Sequence, residues 1–446
     1  MRSQQDLTQG SIRGSLVGYF LPIAAGTLFQ QLYNSVDAII VGKFVGTEAL
    51  AAVGGSAANI INLIIGLFVA LSGGAAIIIA QLFGAREEEL LPSATGTAVT
   101  FSVAAGLFLT VAGVLLAPNM LMWMKAPADT LADASLYLRI YFGGAVFVLL
   151  YNMEAGILRA VGDSRSPFIY LLVGCGANIV MDLLFVAVLG WGVAGVAIAT
   201  VAAQVLSVIM ATAKLFRSQG SYRLDLHQLR LRPALLRRMM RLGIPAGLQS
   251  AMYGVSNLIL QVSINLLGTT VVASWSLSGK VDGFYWAVTG AAGTAVMNFA
   301  GQNYGARRLD RVHACRKVSL RLFIVITVAF SALLLSVGRL VLPIFTDDAA
   351  VIDTTWYIIK AFVPFYFLWT VIEVYSGVLR GVGDAVPPVV ITGLGICLMR
   401  VVWVLTAYRA VPTLGCVCIC YPLSWLITDV ALIIHYHRGR WEKKSA

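Results

Sequence analysis

The sequence predicts an all-α integral membrane protein, with twelve transmembrane helices in two parallel, pseudo-symmetric six-helix lobes around a central cleft. Three observations carry this prediction: an apolar composition, twelve apolar runs of membrane-crossing length, and an internal repeat of half the chain. Of 446 residues, 59% are hydrophobic and only 12% are charged, against ~25% charged in a typical soluble domain. Mean hydropathy is +0.84. A soluble enzyme is excluded on composition alone.

A helix that crosses a bilayer needs ~20 predominantly apolar residues. Runs of that kind fall at about 15–41, 49–82, 93–117, 131–158, 166–189, 193–216, 240–267, 271–301, 318–342, 354–379, 387–410 and 414–436, and they are called spans 1 to 12 in chain order. They are continuous rather than alternating ~10-residue segments, which predicts helices and not barrel strands. The polar start, Met1 to Arg13, leads into an apolar stretch reaching about Ile40. That is too long for the core of a cleavable signal, so the first span is expected to stay in the protein.

A formal charge of +11 is a feature of phosphate binders, but here the basic residues sit in the short connections, which argues for membrane orientation and against nucleic acid. Short basic loops are retained on the cytoplasmic side. The amino terminus, the even-numbered connections and the carboxyl terminus hold 24 of the 32 Lys and Arg, with Lys214, Arg217, Arg223, Arg230, Arg232, Arg237, Arg238 and Arg241 between spans 6 and 7. The odd-numbered connections hold Lys43, Lys125, Arg339 and Arg409, while Arg139, Lys280, Lys360 and Arg400 lie inside spans. Both termini are therefore expected in the cytoplasm and the protein in a plasma membrane, the inner membrane of a bacterium.

The strongest internal signal is a repeat at a nearly constant spacing of half the chain. Leu21-Pro22 is answered by Ile244-Pro245, and Gln81-Leu-Phe-Gly84-Ala85-Arg86 by Gln302-Asn-Tyr-Gly305-Ala306-Arg307. The stretch Gly156 to Pro167 is answered by Gly377 to Pro388, with seven identities in twelve. Each repeat holds six spans, an even number, so both enter the membrane from the same side, and rocking of two such lobes would expose a cleft to each face in turn. The expected division is a cytoplasmic amino-terminal segment 1–14, an amino-terminal lobe 15–217, a basic linker 218–239, a carboxyl-terminal lobe 240–437 and a cytoplasmic tail 438–446. Pro364 in span 10 falls opposite Gly143 in span 4, and both residue types weaken a helix at that depth.

Transport needs an energy source, and neither Gly42-Lys43 nor Gly279-Lys280 has the glycine and hydroxyl residue of an ATP-binding loop. No cofactor is expected. A coupling ion, proton or sodium, is then expected at ionisable groups in the spans, where each costs about 2.5 kcal/mol or more. Asp37 in span 1 has Tyr33 four residues earlier on the same face, and Asn178 and Asp182 of span 5 stand in the same relation. Thr200 of span 6 completes an oxygen set. Carboxylate, amide and hydroxyl oxygens suit a proton or a small hard cation, so sodium at Asp37, Asn178, Asp182 and Thr200 stays open beside the proton. The alternative is that these groups only hydrogen-bond helices together.

The carboxyl-terminal lobe carries Lys280, Asp282, Glu373 and Arg400 inside spans 8, 10 and 11. Lys280 and Glu373 are expected either to pair across the lobe or to meet substrate, while Glu154 in span 4 is expected to reach water. Trp275, Trp286, Trp369 and Trp403 either stack on a planar substrate or anchor at the interface. Candidate substrate-cleft residues here are Tyr253, Asn257, Lys280, Asp282, Trp369, Glu373 and Arg400.

Two parallel six-helix halves, Gln-x-x-Gly-Ala-Arg after spans 2 and 8, Leu-Arg-x-Val-Gly-Asp after spans 4 and 10, and Asn178-Ile-Val-Met-Asp182 together resemble the multidrug and toxic compound extrusion family. The likeness covers about Ser15 to His437. It implies that Asp37 is a cation-coupling carboxylate, that Tyr33, Asn178, Asp182 and Thr200 form an amino-lobe cation cluster, and that Gln30, Asn34 and Asn152 line the drug cleft. Where other branches carry an acidic residue in span 7, this sequence has Gln249, Tyr253 and Asn257, and Glu373 is displaced by about one turn from their span-10 aspartate. Coupling is therefore expected in the amino lobe.

The reading is a secondary active multidrug efflux transporter, not an enzyme, that exports amphipathic, cationic organic compounds by alternating access in antiport with protons or sodium. Its partners are small-molecule substrates and membrane lipid, with no nucleic acid, and it is expected to act as a monomer. Rivals are a flippase for a lipid-linked precursor, which would need a more basic cleft than Arg139, Lys280 and Arg400 provide, and a non-transporting receptor or assembly protein.

Overall fold

The computed structural model describes residues 5–124, 126–127, 129–439 and 441–442. Lys125, residues 1–4 of the expected amino-terminal segment, and 440 and 443–446 of the tail lie outside them. Twelve helical spans follow the expected order, and no strand occurs among the described residues. They are α1 (Ile12–Phe44), α2 (Thr47–Ala52, Val53–Ala57 and Ala58–Gly84), α3 (Leu90–Trp123), α4 (Leu131–Gly143 and Ala145–Ala160), α5 (Arg165–Asp182 and Leu183–Val188) and α6 (Gly192–Arg217). The second half comprises α7 (Pro233–Asn265), α8 (Thr269–Gly305), α9 (Leu309–Val341), α10 (Ala349–Phe362, Val363–Phe365 and Tyr366–Gly381), α11 (Val386–Thr392 through Val404–Tyr408) and α12 (Leu414–His437).

Nine of these are long and apolar enough to cross a membrane, and α4 makes ten if its two halves count as one span. The remaining two, α7 and α8, are long enough but more polar, with Arg237, Arg238 and Arg241 early in α7 and Lys280 and Asp282 within α8.

The duplication seen in the sequence is written into the backbone. Arg86 and Arg307, equivalent residues of the two halves, both adopt positive φ (56° and 57°), which non-glycine residues rarely do. Gly162 and Gly383, again equivalent, turn the chain with φ 90° and 85°. The aspartates that follow are buried in both halves: Asp163 lies 3.9 Å from Lys214 and Asp384 2.9 Å from His435, again one repeat apart. α4 bends by 50° at Gly144, and α10 is interrupted by a tight turn at Val363–Phe365 around Pro364, so the two weak points in the sequence are both breaks in the structure. Within each half the broken helix is the packing centre, with α4 against α2, α3 and α6, and α10 against α8, α9 and α12.

The chain forms two compact units, one of residues 5–6 and 21–247 and the other of 7–20 and 248–442. Relative to the expected lobe edges, the starts of α1 and α7 fall in the other unit, and hydrogen bonds anchor the segments that lead into both. In the second unit Gln302 accepts from the Leu7 backbone N–H at 3.1 Å, and Arg311 donates to the carbonyls of Leu7, Gln9 and Gly10. In the first, the linker docks on α3: Ser93 donates to Gln228 and Thr97 to the Arg230 carbonyl, each at 3.1 Å.

In the first unit α2 and α7 meet backbone to backbone. A Cβ added to Gly74 would lie 2.3 Å from the Met239 carbonyl oxygen and 2.5 Å from the Gly243 nitrogen, whereas one on Gly73 meets nothing within 4 Å. Gly74→Ala should therefore cost about 1–3 kcal/mol through overpacking. The neighbouring Gly73→Ala should be neutral or slightly stabilising, since Ala is the better helix former. Apparent melting temperatures of the two purified variants in detergent check this; equal values would contradict it.

Candidate functional site

The polar residues singled out in the sequence gather into two sites, one in each unit. In the first, Asp37 on α1 and Asp182 on α5 bring their carboxylates within hydrogen-bonding reach of each other. Asp182 and Asn178, one turn apart, are 0% and 1% exposed. Both oxygens of Asp182, one of Asp37, and both polar atoms of the Asn178 amide have no hydrogen-bond partner among the described residues. Two facing carboxylates have no hydrogen to share while both are ionised, so their contact is favourable only with a proton on one of them or a cation between them. α5 passes from α- to π-helical geometry immediately after Asp182, at Leu183–Val188, the kind of local bulge that recurs at functional positions.

Around this pair, Tyr33 reaches the Thr200 hydroxyl, and Thr200 donates to the Val196 carbonyl at 3.0 Å. Gln30, Tyr33, Asn178 and Thr200 line a cavity of about 30 Å³ together with Gln204, room for a water or a bare ion. Gln30 and Asn152 share a further cavity of about 120 Å³ with Gln204. Asn34 is exposed and lines neither. The oxygen types fit sodium as well as a proton; among the described residues no three His, Cys, Asp or Glu side chains come together to hold a transition metal.

The second site is a cavity of about 550 Å³ inside the second unit. Tyr253, Asn257, Asp282, Trp369, Glu373 and Arg400 all line it, together with Trp275 and Trp286. Its walls are aromatic: Trp286 stands edge-on to Trp369 with ring centroids 4.9 Å apart, and Trp275 lies 5.8 Å from Tyr421. Tyr366 donates its hydroxyl proton to Asp282, while the Tyr285 hydroxyl, 2.6 Å from the Tyr366 carbonyl, fixes the backbone at the α10 break. Arg400 is 5% exposed. Its guanidinium lies 4.0 Å from the Tyr421 ring centroid and donates weakly to Asn257 at 3.4 Å.

Some expectations need correction. Glu373 pairs with Arg380 of its own helix at 3.6 Å rather than with Lys280, because residues seven apart lie on one helical face. Lys280 is exposed and is not among the cavity-lining side chains. Glu154 does not reach water: it is fully buried and accepts from the Thr212 hydroxyl at 2.6 Å. Trp403 hydrogen-bonds the Cys416 carbonyl at 2.9 Å and lines no described cavity.

The reading missed Tyr137, which flanks the carboxylate pair, and Tyr366, Tyr421 and Trp425 in the larger cavity. It also missed Asp429, buried on α12 with both oxygens unpartnered. A signal for two of these was present. Tyr421 and Trp425 are the repeat equivalents of Thr200 and Gln204, so the two cavities share lining positions in the repeat.

Fold and sites together define an integral membrane protein with two six-helix lobes and buried polar sites. The sequence model of the MatE family matches it twice, over residues 22–184 and 245–406, and the chain belongs to that family. It is 26% identical to a Bacillus subtilis protein described as a probable multidrug resistance protein, YoeA, over 99% of this chain and 96% of that one. Identity to the multidrug export protein MepA of Staphylococcus aureus is 21%, over 83% and 82% of the two chains. Among solved structures, an outward-facing multidrug resistance MATE family transporter of the MOP superfamily superimposes with a TM-score of 0.89 at 24% identity, covering 99% of this chain and 98% of that one.

Removing the Tyr366 hydroxyl leaves Asp282 without its donor in a desolvated wall, a loss of about 1–3 kcal/mol. Tyr366→Phe should lower the apparent melting temperature, and adding Asp282→Asn should recover part of the loss because the pair is one interaction. Strict additivity of the two changes in thermal unfolding would contradict the assignment.

Proposed function

We propose that this chain is a secondary active multidrug exporter that moves amphipathic organic cations out of the cell in exchange for protons. The observation that carries the reading is the Asp37–Asp182 pair, two carboxylates facing each other inside apolar helices, with both oxygens of Asp182 and one of Asp37 unpartnered among the described residues. A proton makes that contact favourable and its loss makes it repulsive, so α1 and α5 close and open with the proton. The same unpartnered oxygens would also suit sodium, and the gradient experiment below separates the two ions.

Substrate chemistry follows from the larger cavity, whose Trp and Tyr faces favour planar organic cations and whose Asp282 and Glu373 add negative charge. The names of YoeA and MepA support multidrug export. The chain needs no cofactor in this reading, acts as a monomer and keeps both termini in the cytoplasm, as the basic connections argue. Residues 15–217 and 240–437 act as the two lobes and 218–239 as the linker between them.

An energy check bounds the stoichiometry. An entering proton gains about 2.3 kcal/mol per 100 mV and about 1.4 kcal/mol per pH unit, while an exported monovalent cation gives back the voltage term. One-for-one exchange supports about tenfold accumulation per pH unit. Two carboxylates carrying two protons relax that limit.

Purified protein in liposomes should move a fluorescent cationic dye when a pH gradient is imposed and not when a sodium gradient is imposed. Asp37→Asn should cut the pH-driven rate at least about tenfold, since the pair can no longer cycle a proton, while dye still binds. Sodium-driven movement would reassign the ion, and an unchanged rate in Asp37→Asn would place coupling elsewhere.

A further inference from the structure

The two cavities share lining positions in the repeat, as with Thr200 and Tyr421 or Gln204 and Trp425, and their chemistry has diverged. α11 carries a π-helical turn at Gly393–Leu398, and such a turn accommodates one residue more than an α-turn. At the spacing of 221 residues that holds on both sides of this turn, Asn178 is answered by Met399, and Arg400 is the next residue along. The carboxylates do not recur: at spacings of 221 to 223 residues Asp37 meets only Leu258, Ile259 and Leu260, and Asp182 only Trp403, Val404 and Leu405. The second cavity therefore holds a fixed cation, Arg400, in its wall, whereas the first is lined by uncharged polar groups such as Asn178 and Thr200.

Arg400 is also short of partners. It is 5% exposed, its Nε is buried with no hydrogen-bond partner, and no carboxylate lies within ion-pair distance of it among the described residues. Its contacts are a ring face at 4.0 Å and one amide oxygen at 3.4 Å. A guanidinium offers five donors in a fork that matches a carboxylate, and burying one without a counter-charge is unfavourable. The negative groups of the same cavity are already engaged elsewhere, Asp282 with Tyr366 and Glu373 with Arg380.

We propose that Arg400 recognises an anionic group, so that the second cavity takes planar aromatic zwitterions whose carboxylate docks on Arg400 and whose cationic end faces the Asp282 and Glu373 walls. This deepens the export reading and rests on it in one respect, that this cavity is the substrate site. Organic cations lacking an anionic group bind through the aromatic walls and the Asp282 and Glu373 side without engaging Arg400.

The test uses one rhodamine dye in two forms, the free acid, which is a zwitterion, and its methyl ester, which is a cation of nearly the same shape. Binding of each to the purified full-length chain is followed by dye anisotropy. Arg400→Gln should weaken the free acid at least about tenfold more than the ester, the difference made by one charge-assisted pair, and Arg400→Lys should fall between wild type and Gln. Equal weakening of both forms would mean that Arg400 only holds the cavity together, and would overturn the proposal, as would wild-type protein that binds the ester but not the acid. Wild-type protein that binds the acid in an Arg400-dependent way but not the ester would sustain the proposal and overturn the organic-cation reading. Failure to bind either form would overturn both.

Discussion

Inside a bilayer no water is at hand to satisfy a polar side chain, and the organisation of this protein follows from that constraint. A lone charge at mid-membrane costs about 2.5–3.5 kcal/mol on insertion scales, more than the ~1 kcal/mol net gain of an ordinary hydrogen bond. Most buried polar groups here answer the cost locally: Glu154 takes the Thr212 hydroxyl and Asp163 accepts from the Ser166 amide and hydroxyl. Both oxygens of Asp182 and of Asp429, one of Asp37 and the Nε of Arg400 find no such partner among the described residues. Groups left in that state are where an ion or a ligand has the most to offer.

Duplication supplied both sites from one plan. The turns after the second and fourth helix of each half repeat even in their rare backbone angles, and the broken helix is the packing centre in both. What changed is the lining. Thr200 and Gln204 in the first half are answered by Tyr421 and Trp425 in the second, and the cavity grows from about 30 to about 550 Å³. A small polar pocket suits an ion; a large aromatic one suits an organic molecule.

Much of this was legible in the sequence because the bilayer imposes long apolar runs and because the repeat can be checked against itself. The helix order and the weak points at Gly143 and Pro364 follow from those two signals, while the residues named around Asp37 and in the carboxyl-terminal lobe came from polar groups inside the spans and from the family resemblance. Partner choice was less legible. Glu373 was set against Lys280 although Arg380, two turns along its own helix, was the nearer option. Glu154 was assigned to water because its depth was judged from position along the helix, and Thr212, which holds it, lies 58 residues away. Tyr366 could not be read because its role depends on the tight turn at Val363–Phe365 that aims it at Asp282. The compact units differ from the expected lobes around residues 7–20 and 240–247, next to segments where residues 7–10 and 228–232 find hydrogen bonds.

The central claim is that the carboxylate pair of the first unit exchanges protons against substrate. Linkage requires each ligand to lower the other's affinity by the same factor, so substrate binding must release protons. The direct measurement is the pH change when dye is added to concentrated wild-type protein in weak buffer, beside the Asp37→Asn, Asp182→Asn double variant. Proton release by the wild type, absent from the double variant and indifferent to sodium, is the predicted result. Release of the same size from both proteins, or none from the wild type despite dye binding, would contradict the account.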